Sequence, residues 1–207
     1  GQRALLIQGG GQSVLLNPYQ AVGCAAGLQE PRVNAGIILA SSQLADEGAR
    51  DIAGGRYLVK PGAYRIGGLN LEGFGSPHDR MGGRRFGNAT IWRWSQGGLN
   101  FAHLGATAGP ISGADQVLLG RPDVLILGVG GGSKIFDGDE AAALVNELNP
   151  KRVIPVQYVI GHPPEGCDQG GVQPFLDAMA GTTVRKVGRS ISLPGQLDDA
   201  TVVTVMQ

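Results

Sequence analysis

The sequence predicts an α/β (α+β) protein in which two β-rich halves alternate with helices. Residues 36–48 contain the clearest example, because an apolar strand at residues 37–39 runs through a polar loop into a helix start. Asp46 and Glu47 stand where the N-terminus of a helix favours acidic side chains. In α/β proteins, ligands bind beyond the carboxyl ends of strands. This stretch is therefore the first place to look for a functional site.

The composition is that of an ordinary globular protein. The chain has 207 residues and 42% hydrophobic content, enough for one domain with a full core. Seventeen basic residues balance 17 acidic residues, whereas a nucleic-acid binder usually has a basic excess. No run approaches the roughly 18 apolar residues of a membrane span. We expect a soluble protein with neither a nucleic-acid partner nor a membrane span.

The first residues leave the cellular compartment open. Residues 1–8 have the pattern of a first strand that is entered part-way, so we expect that the N-terminal strand is truncated. No charged segment followed by an apolar one is present at Gly1. The protein is either cytoplasmic or exported with its leader absent from this sequence.

The remaining elements follow in order along the chain. Turn residues and the period of the apolar positions place them. We predict a hairpin at residues 5–7 and 14–16, a helix at 47–53, strands at 57–60, 63–66, 69–74, 89–94 and 99–104, a helix at 112–118, a strand at 123–127, a helix at 139–148, a strand at 152–158, a helix at 174–180, and β segments near 184, 191 and 201–205. Trp92 and Trp94 lie on one face of their strand, and we expect both to pack in the sheet.

A glycine loop follows the strand at residues 123–127. A strand, glycines and a helix are typical of a phosphate-binding loop. However, Gly128, Gly130 and Gly132 lack the spacing of the dinucleotide fingerprint. Ser133 and Lys134 are not the Gly-Lys-Ser/Thr of a P-loop, and no acidic residue ends the following strand. We therefore do not expect nucleotide binding.

Five segments in order resemble the metallo-β-lactamase superfamily. The strand before Ser42 is similar to the one that ends in Thr-His-x-His-x-Asp-His in that family. The loop of His78, with two glycines, a basic residue and Gly-Asn before the next strand, is similar to a loop whose histidine is a metal ligand. The segments at residues 99–106, 128–132 and 153–158 are similar to the family's His-Leu-Gly-Asp, Pro-Val-Gly-Gly and Val-Ile-Pro-x-His-Tyr segments.

The resemblance covers essentially the whole chain. It implies one domain over residues 1–207 with a four-layer αβ/βα sandwich, in which two mixed β-sheets pack face to face and are flanked by helices. The former metal site would lie at one edge of the sandwich.

The resemblance also implies a degenerate metal site. Zinc in this superfamily lowers the pKa of bound water from about 15.7 to about 7. Only Asp46 and His78 keep the expected residue, since leucine and alanine provide no ligand atom and a glutamine amide is a poor zinc ligand. The seven ligand positions are Ser42, Leu44, Asp46, Glu47, His78, Ala106 and Gln157.

The leading expectation is therefore a catalytically degenerate member of the superfamily. It would have no cofactor and would act as a binding or structural module for an unknown small molecule or protein. His103 matches a residue that precedes a family ligand, so we expect a structural role for it. His162 lies in a proline-rich loop and is not assigned as a substitute ligand.

Two enzymatic alternatives stay open. One is a hydrolase of esters or phosphoesters with a single divalent metal, zinc or manganese, on Asp46, Glu47 and His78. The other uses Ser41 or Ser42 as nucleophile, His78 as base and Asp46 as orienting group, although no Gly-x-Ser-x-Gly elbow is present.

Three arginines on the loop after His78 could contact an anionic ligand. Arginine suits such contacts because its planar guanidinium presents several donors, but arginines on a glycine-rich loop are more often solvated. They are Arg80, Arg84 and Arg85.

The two cysteines are too few for a disulfide framework, and their residue type favours two free, buried thiols. The family layout also allows a disulfide between Cys24 and Cys167, because both loops follow strands that end at the same face. A disulfide would imply an oxidising compartment.

Overall fold

The computed structural model describes residues 3–52 and 54–207, and it contains two β-sheets. The smaller sheet has the strand order β1-β2-β3-β4. The first two strands form an antiparallel hairpin, and the other two add in parallel. Its strands are β1 (Leu5–Gly9), β2 (Gln12–Leu16), β3 (Ile37–Leu39) and β4 (Arg56–Leu58).

The larger sheet has eight strands in the order β11-β12-β10-β9-β8-β7-β6-β5. Neighbours from β5 to β8 pair antiparallel, and those from β8 to β11 pair parallel, so this sheet is mixed. Its strands are β5 (Gly62–Ile66), β6 (Leu69–Pro77), β7 (Asn88–Gln96), β8 (Leu99–Gly105), β9 (Val124–Gly128), β10 (Arg152–Val156), β11 (Thr183–Val187) and β12 (Val202–Met206).

Four α-helices and one 3-10 turn complete the described part of the chain. The longest helix, α3, begins with a capping box between Asp137 and Glu140 and ends at Asn149, which adopts the left-handed conformation. The helices are α1 (Ala45–Gly48), α2 (Gly113–Leu119), α3 (Gly138–Leu148) and α4 (Gln173–Ala178), and the 3-10 turn is Gly23–Ala25.

Two large apolar cores hold the layers together, and a smaller cluster of Leu15, Ala35 and Ile38 is separate from them. One lies between the sheets and includes residues from both, among them Leu16, Ile37 and Ile126. The other lies between the eight-stranded sheet and the helices, and it includes Leu144 and Phe175. The predicted fold, an α/β sandwich of two mixed sheets flanked by helices, is confirmed.

Both tryptophans pack in the inter-sheet core, as predicted. Trp92 is fully buried, and its indole nitrogen donates to the carbonyl of Ala40 at 3.0 Å, which links β7 to the end of β3. Trp94 stacks on Phe101 with 5.2 Å between the ring centroids. Because a buried indole N–H needs an acceptor, the Trp92 bond also fixes where the chain leaves β3.

Two predicted elements differ from the structure. The helix expected at residues 47–53 begins at Ala45 and ends at Gly48, and Ala53 lies outside the described residues. Ala49 has an extended backbone, and its N–H donates to the carbonyl of Pro18 at 2.7 Å, so the helical hydrogen-bond pattern ends there. The segment near Ile191 is not a strand, and the nearby Pro194 could not donate to a ladder.

No helix in the described ranges is both long and apolar enough to cross a membrane.

Candidate functional site

The candidate site lies where five strands end at one edge of the sandwich. Ser42, His78 and Ala106 follow β3, β6 and β8 within three residues, and Gln157 directly follows β10. The loop from β9 to α3 completes the edge. These ends meet, since the backbone N–H of Ala106 donates to the hydroxyl of Ser41 at 3.3 Å.

Glu47 and His78 form a fully buried contact at the centre of the site. The carboxylate Oε1 lies 2.7 Å from the imidazole Nε2, and both side chains have no exposed surface. The contact lacks the alignment of a good hydrogen bond. The hydroxyl of Ser42 also donates to Oε1, at 3.0 Å. Glu47 therefore links the polar loop after β3 to the loop after β6.

Burial raises the pKa of the Glu47 carboxyl, but its partners more than offset this effect. His78, Lys134 and the Ser42 hydroxyl all stabilise the carboxylate, and the net result is a pKa below the usual value. Glu47 is consequently ionised at neutral pH, even though its side chain is buried. A buried charge needs a cation nearby, and the structure provides one.

Lys134 is that cation. Its ammonium nitrogen lies 3.4 Å from Oδ2 of Asp46 and 3.6 Å from Oε2 of Glu47. The ring centroid of Phe86 is 5.5 Å away, within the range of a cation–π contact. Only 12% of the Lys134 side chain is exposed, so its ammonium contacts the two carboxylates and the aromatic ring in a largely buried position.

Sequence reasoning missed Lys134, which it considered only as part of a P-loop pattern. Asp46 and Lys134 are separated by 88 residues, so no local spacing indicates the pair. The signal available in the sequence was an excess of negative charge at the predicted site. Two adjacent acidic residues, Asp46 and Glu47, lie at a site that keeps only one of the family's histidines, and buried carboxylates need a positive partner.

A second buried cation lies nearby. Arg3 is 3% exposed and donates from Nη2 to the side-chain oxygen of Gln169 at 2.5 Å. Burial lowers the pKa of its guanidinium, and the charges of Asp46 and Glu47 partly oppose this shift. The two acidic residues therefore lie in the field of two positive side chains.

Several buried polar atoms of the site have no hydrogen-bond partner among the described residues. They belong to three side chains besides that of Glu47: both ring nitrogens of His78 and of His103, and both amide atoms of Gln157. Gln157 also has a left-handed backbone, with φ of 52°, an uncommon conformation for a residue other than glycine. Burial lowers the pKa of His103 to about 3, so this imidazole is neutral.

The residues present do not fit the zinc centre of the resembling family. Leu44 and Ala106 have no ligand atom, and no group of three or more His, Cys, Asp or Glu side chains in the described ranges could hold a metal ion. Asp46, Glu47 and His78, the set expected for a single metal, are close in space. However, the Lys134 ammonium contacts both carboxylates of that set.

The serine alternative is not supported by the hydrogen bonds. The Ser42 hydroxyl contacts Glu47 and accepts from the N–H of Leu44 at 3.2 Å. The Ser41 hydroxyl accepts from the amide nitrogen of Asn17 at 3.0 Å and from the N–H of Ala106. None of these four contacts connects a serine to His78, and Asp46 pairs with Lys134 instead of orienting the imidazole.

Arg80, one of the three possible anion contacts, is bound to acceptors of the protein itself. Its guanidinium donates to the carbonyls of Gly132 at 2.9 Å and Ile135 at 3.1 Å, and it forms an ion pair with Glu140. The hydrogen bond to Glu140 raises the Arg80 pKa. Arg80 thus fixes the loop of Lys134 to the start of α3. Arg84 and Arg85 are exposed, and Arg85 lies over the ring of Phe86.

The loop between β6 and β7 is shaped by Asp79. Its carboxylate accepts four backbone N–H bonds at 2.7 to 3.0 Å, from residues 81, 83, 85 and 86. Burial raises the Asp79 pKa, but these donors outweigh it and lower the pKa overall. The loop therefore places Phe86 next to His78, with 5.9 Å between the ring centroids.

Cys24 and Cys167 form a disulfide, so the expectation of two free thiols is wrong. The bond joins the loop between β2 and β3 to the loop between β10 and α4. Both loops lie at the edge that contains the candidate site.

Solved structures of known proteins share this fold. A Thermotoga maritima protein, named as a Zn-dependent hydrolase of the metallo-β-lactamase superfamily, matches with a TM-score of 0.76 and 23% identity over 100% of this chain and 96% of its own. A Parabacteroides distasonis protein, named as a metal-dependent hydrolase, matches with a TM-score of 0.61 and 12% identity, covering 87% and 86% of the two chains. An isothiocyanate hydrolase from Delia radicum gut bacteria matches with a TM-score of 0.62 and 12% identity, over 86% of this chain and 89% of its own. These matches define the metallo-β-lactamase fold.

The family follows from the sequence itself. Residues 1–157 match the family described as the beta-lactamase superfamily domain, and the chain belongs to that family. No curated protein is significantly similar to it in sequence.

Proposed function

We propose that this chain is a catalytically degenerate member of the metallo-β-lactamase superfamily, in which the ammonium of Lys134 takes the place of the metal and the fold acts as a binding or structural module. The observation that supports this proposal is the contact of Lys134 with Asp46 and Glu47 at 3.4 and 3.6 Å. In a metal centre, the carboxylates are neutralised by the ion. Here a side chain of the same protein provides the positive charge.

Electrostatic repulsion disfavours binding of both the Lys134 ammonium and a metal ion at Asp46 and Glu47. Two unit charges 4 Å apart repel by about 4 kcal/mol at an effective dielectric constant of about 20, and a divalent ion doubles that value. A metal ion on Asp46 and Glu47 would therefore have to displace Lys134. Removing Lys134 from its partly desolvated position would also break its contact with Phe86.

A second candidate is a hydrolase with a single metal on Asp46, Glu47 and His78, acting on an ester or a phosphoester. Oε2 of Glu47 and Nδ1 of His78 are buried without a hydrogen-bond partner. A metal bound after Lys134 had moved away would give these atoms a partner. The names of the structural relatives, which are metal-dependent hydrolases, are consistent with this candidate.

The metal content of the protein separates the two candidates. The protein is purified without chelator, incubated with zinc or manganese, desalted and analysed by mass spectrometry. We expect far less than one ion per chain in the wild type, because Lys134 already neutralises the carboxylates. The variant Lys134→Ala should retain more manganese than the wild type, since the repulsion of about 8 kcal/mol is then absent.

Asp46→Ala and His78→Ala are the control variants. Stoichiometric metal in the wild type that is lost in both variants would contradict the proposal and support the hydrolase. A panel of carboxylate esters and phosphodiesters would then identify the substrate class.

A further inference from the structure

The disulfide joins two loops that contact opposite sides of the Lys134 cluster, which we define as Asp46, Glu47 and Lys134. Cys24 lies in the 3-10 turn between β2 and β3, and Cys167 lies between β10 and α4. The cysteines are separated by 143 residues in sequence, and their Cα atoms are 4.8 Å apart. The bond is thus the covalent link between two segments that are remote along the chain.

The first loop is attached to the carboxylate side of the cluster. The backbone N–H of Gln20 donates to the carbonyl of Ala45, the first residue of α1, at 2.7 Å. Next to Cys24, a Cβ added at Gly23 would lie 3.0 Å from Oδ2 of Asp46. The loop therefore packs directly against the side chain that contacts the ammonium.

The second loop is attached to the ammonium side. Asp168, the neighbour of the second cysteine, accepts from the N–H of Ser133 at 2.8 Å, immediately before Lys134. The N–H of Gly170 donates to the carbonyl of Gly130 at 2.7 Å in the same glycine loop. These two bonds hold the segment that positions the lysine.

We propose that the Cys24–Cys167 disulfide is a redox-sensitive clamp that holds Lys134 against Asp46 and Glu47. An external dithiol would reduce it: the dithiol gives up two electrons and two protons, the S–S bond becomes two thiols, and the dithiol becomes a disulfide. The two loops are then connected only by non-covalent contacts, and the cluster loosens. This inference rests on the proposed function only in taking the Lys134 cluster as the responsive part of the site.

The clamp is accessible from solvent on one side. Cys24 is 9% exposed, and Cys167 is partly exposed. A small dithiol can therefore reach the bond without global unfolding, which a fully enclosed disulfide would require.

Hydrogen exchange of the amides of Ser133 and Gly170 tests the proposal. Full-length protein is compared in its oxidised form, after reduction with dithiothreitol, and as the double variant Cys24→Ser/Cys167→Ser. Because both amides lie on the ammonium side of the clamp, we expect them to exchange at least about tenfold faster without the disulfide, while the amides of β9 stay within about twofold. The double variant should be insensitive to dithiothreitol.

The result depends on how much faster the loop amides of Ser133 and Gly170 exchange than the core amides of β9 when the disulfide is absent. Unchanged exchange at Ser133 and Gly170, or an acceleration equal to that of β9, would overturn the clamp and leave a disulfide that stabilises the chain only globally. Metal content is measured on the same samples. Bound metal would contradict the proposed function while leaving the exchange ratio, and so the clamp, as a separate result.

Discussion

At the scale of single residues, the site is a set of buried charges that compensate one another. Glu47 is ionised because His78, Lys134 and Ser42 outweigh the cost of its burial. Asp46 shares the same ammonium. Leaving one buried partner of such a pair alone is usually far more costly than replacing the whole pair with apolar groups. Each charge here therefore depends on the presence of the others.

The neutral imidazole of His103 leads to a prediction about how the free energy of unfolding depends on pH. Its pKa is lowered by burial to about 3 in the folded protein, whereas an unfolded histidine has a pKa of about 6.5. Between these values, the unfolded state binds more protons, so the free energy of unfolding falls as the pH falls. From pH 7 to pH 5, this single group should cost about 2 kcal/mol.

The variant His103→Leu removes this term, and urea unfolding at the two pH values measures it. The variant should lose about 2 kcal/mol less than the wild type between pH 7 and pH 5. The exposed His162 is the matched control, and His162→Gln should follow the wild type. Equal losses in His103→Leu and the wild type would show that His103 is protonated in the folded protein.

Among these residues, the sequence predicts the positions that match a family motif and misses those that only the fold brings together. Asp46, Glu47 and His78 do lie at one edge, because each follows a recognisable strand. The contact of Lys134 with Asp46 depends on how a loop 88 residues away folds back. Periodicity and spacing contain no information about such a contact.

At the scale of elements, α3 is the helix that fixes the loop of Lys134. Its capping box satisfies two backbone donors, since Glu140 N–H donates to the Asp137 carboxylate and Asp137 N–H donates to the Glu140 carboxylate, both at 2.9 Å. Arg80 joins this helix start to the loop after β6. The first turn of α3 is therefore part of the framework of the site.

Removing the cap should destabilise the protein. We expect Asp137→Ala to lower the free energy of unfolding by about 1 kcal/mol, the usual cost of losing an N-cap side chain. Asp139→Ala is the matched control, because Asp139 is exposed in the same turn and its loss changes the helix-terminal charge equally. The free energies of unfolding of the two variants are compared by chemical unfolding at high salt. Equal losses in Asp137→Ala and Asp139→Ala would mean that the capping box contributes no stability.

Long elements with clear periodicity are the ones that the sequence predicts well. The predicted helix at residues 139–148 is found as Gly138–Leu148, and the strand at residues 89–94 lies within β7. The short helix α1 ends five residues early, because the N–H of Ala49 donates to the carbonyl of Pro18 instead of continuing the helix. A tertiary contact of this kind overrides local propensity and is invisible along the chain.

At the scale of the whole molecule, the sandwich brings five strand ends to one edge, and the disulfide closes that edge. The fold is shared with proteins named as metal-dependent hydrolases, but the fold alone does not determine the chemistry. The resemblance of five segments, in order along the chain, to a known family was sufficient to predict the architecture. It could not show which cation balances the two carboxylates, since that depends on the assembled edge.

The most direct test of Lys134 as the replacement for a metal is the stability of Lys134→Met, measured by chemical unfolding. Breaking a buried pair by removing one partner typically costs about 3–5 kcal/mol, and we expect a loss in that range. Adding Asp46→Asn and Glu47→Gln to Lys134→Met should recover part of it, because both carboxylates are then neutral, although the buried Arg3 loses the favourable charges of Asp46 and Glu47. Lys60→Met, at an exposed lysine, is the control, with an expected change within about 0.5 kcal/mol. A loss in Lys134→Met no larger than in Lys60→Met, or no recovery in the triple variant, would contradict the account.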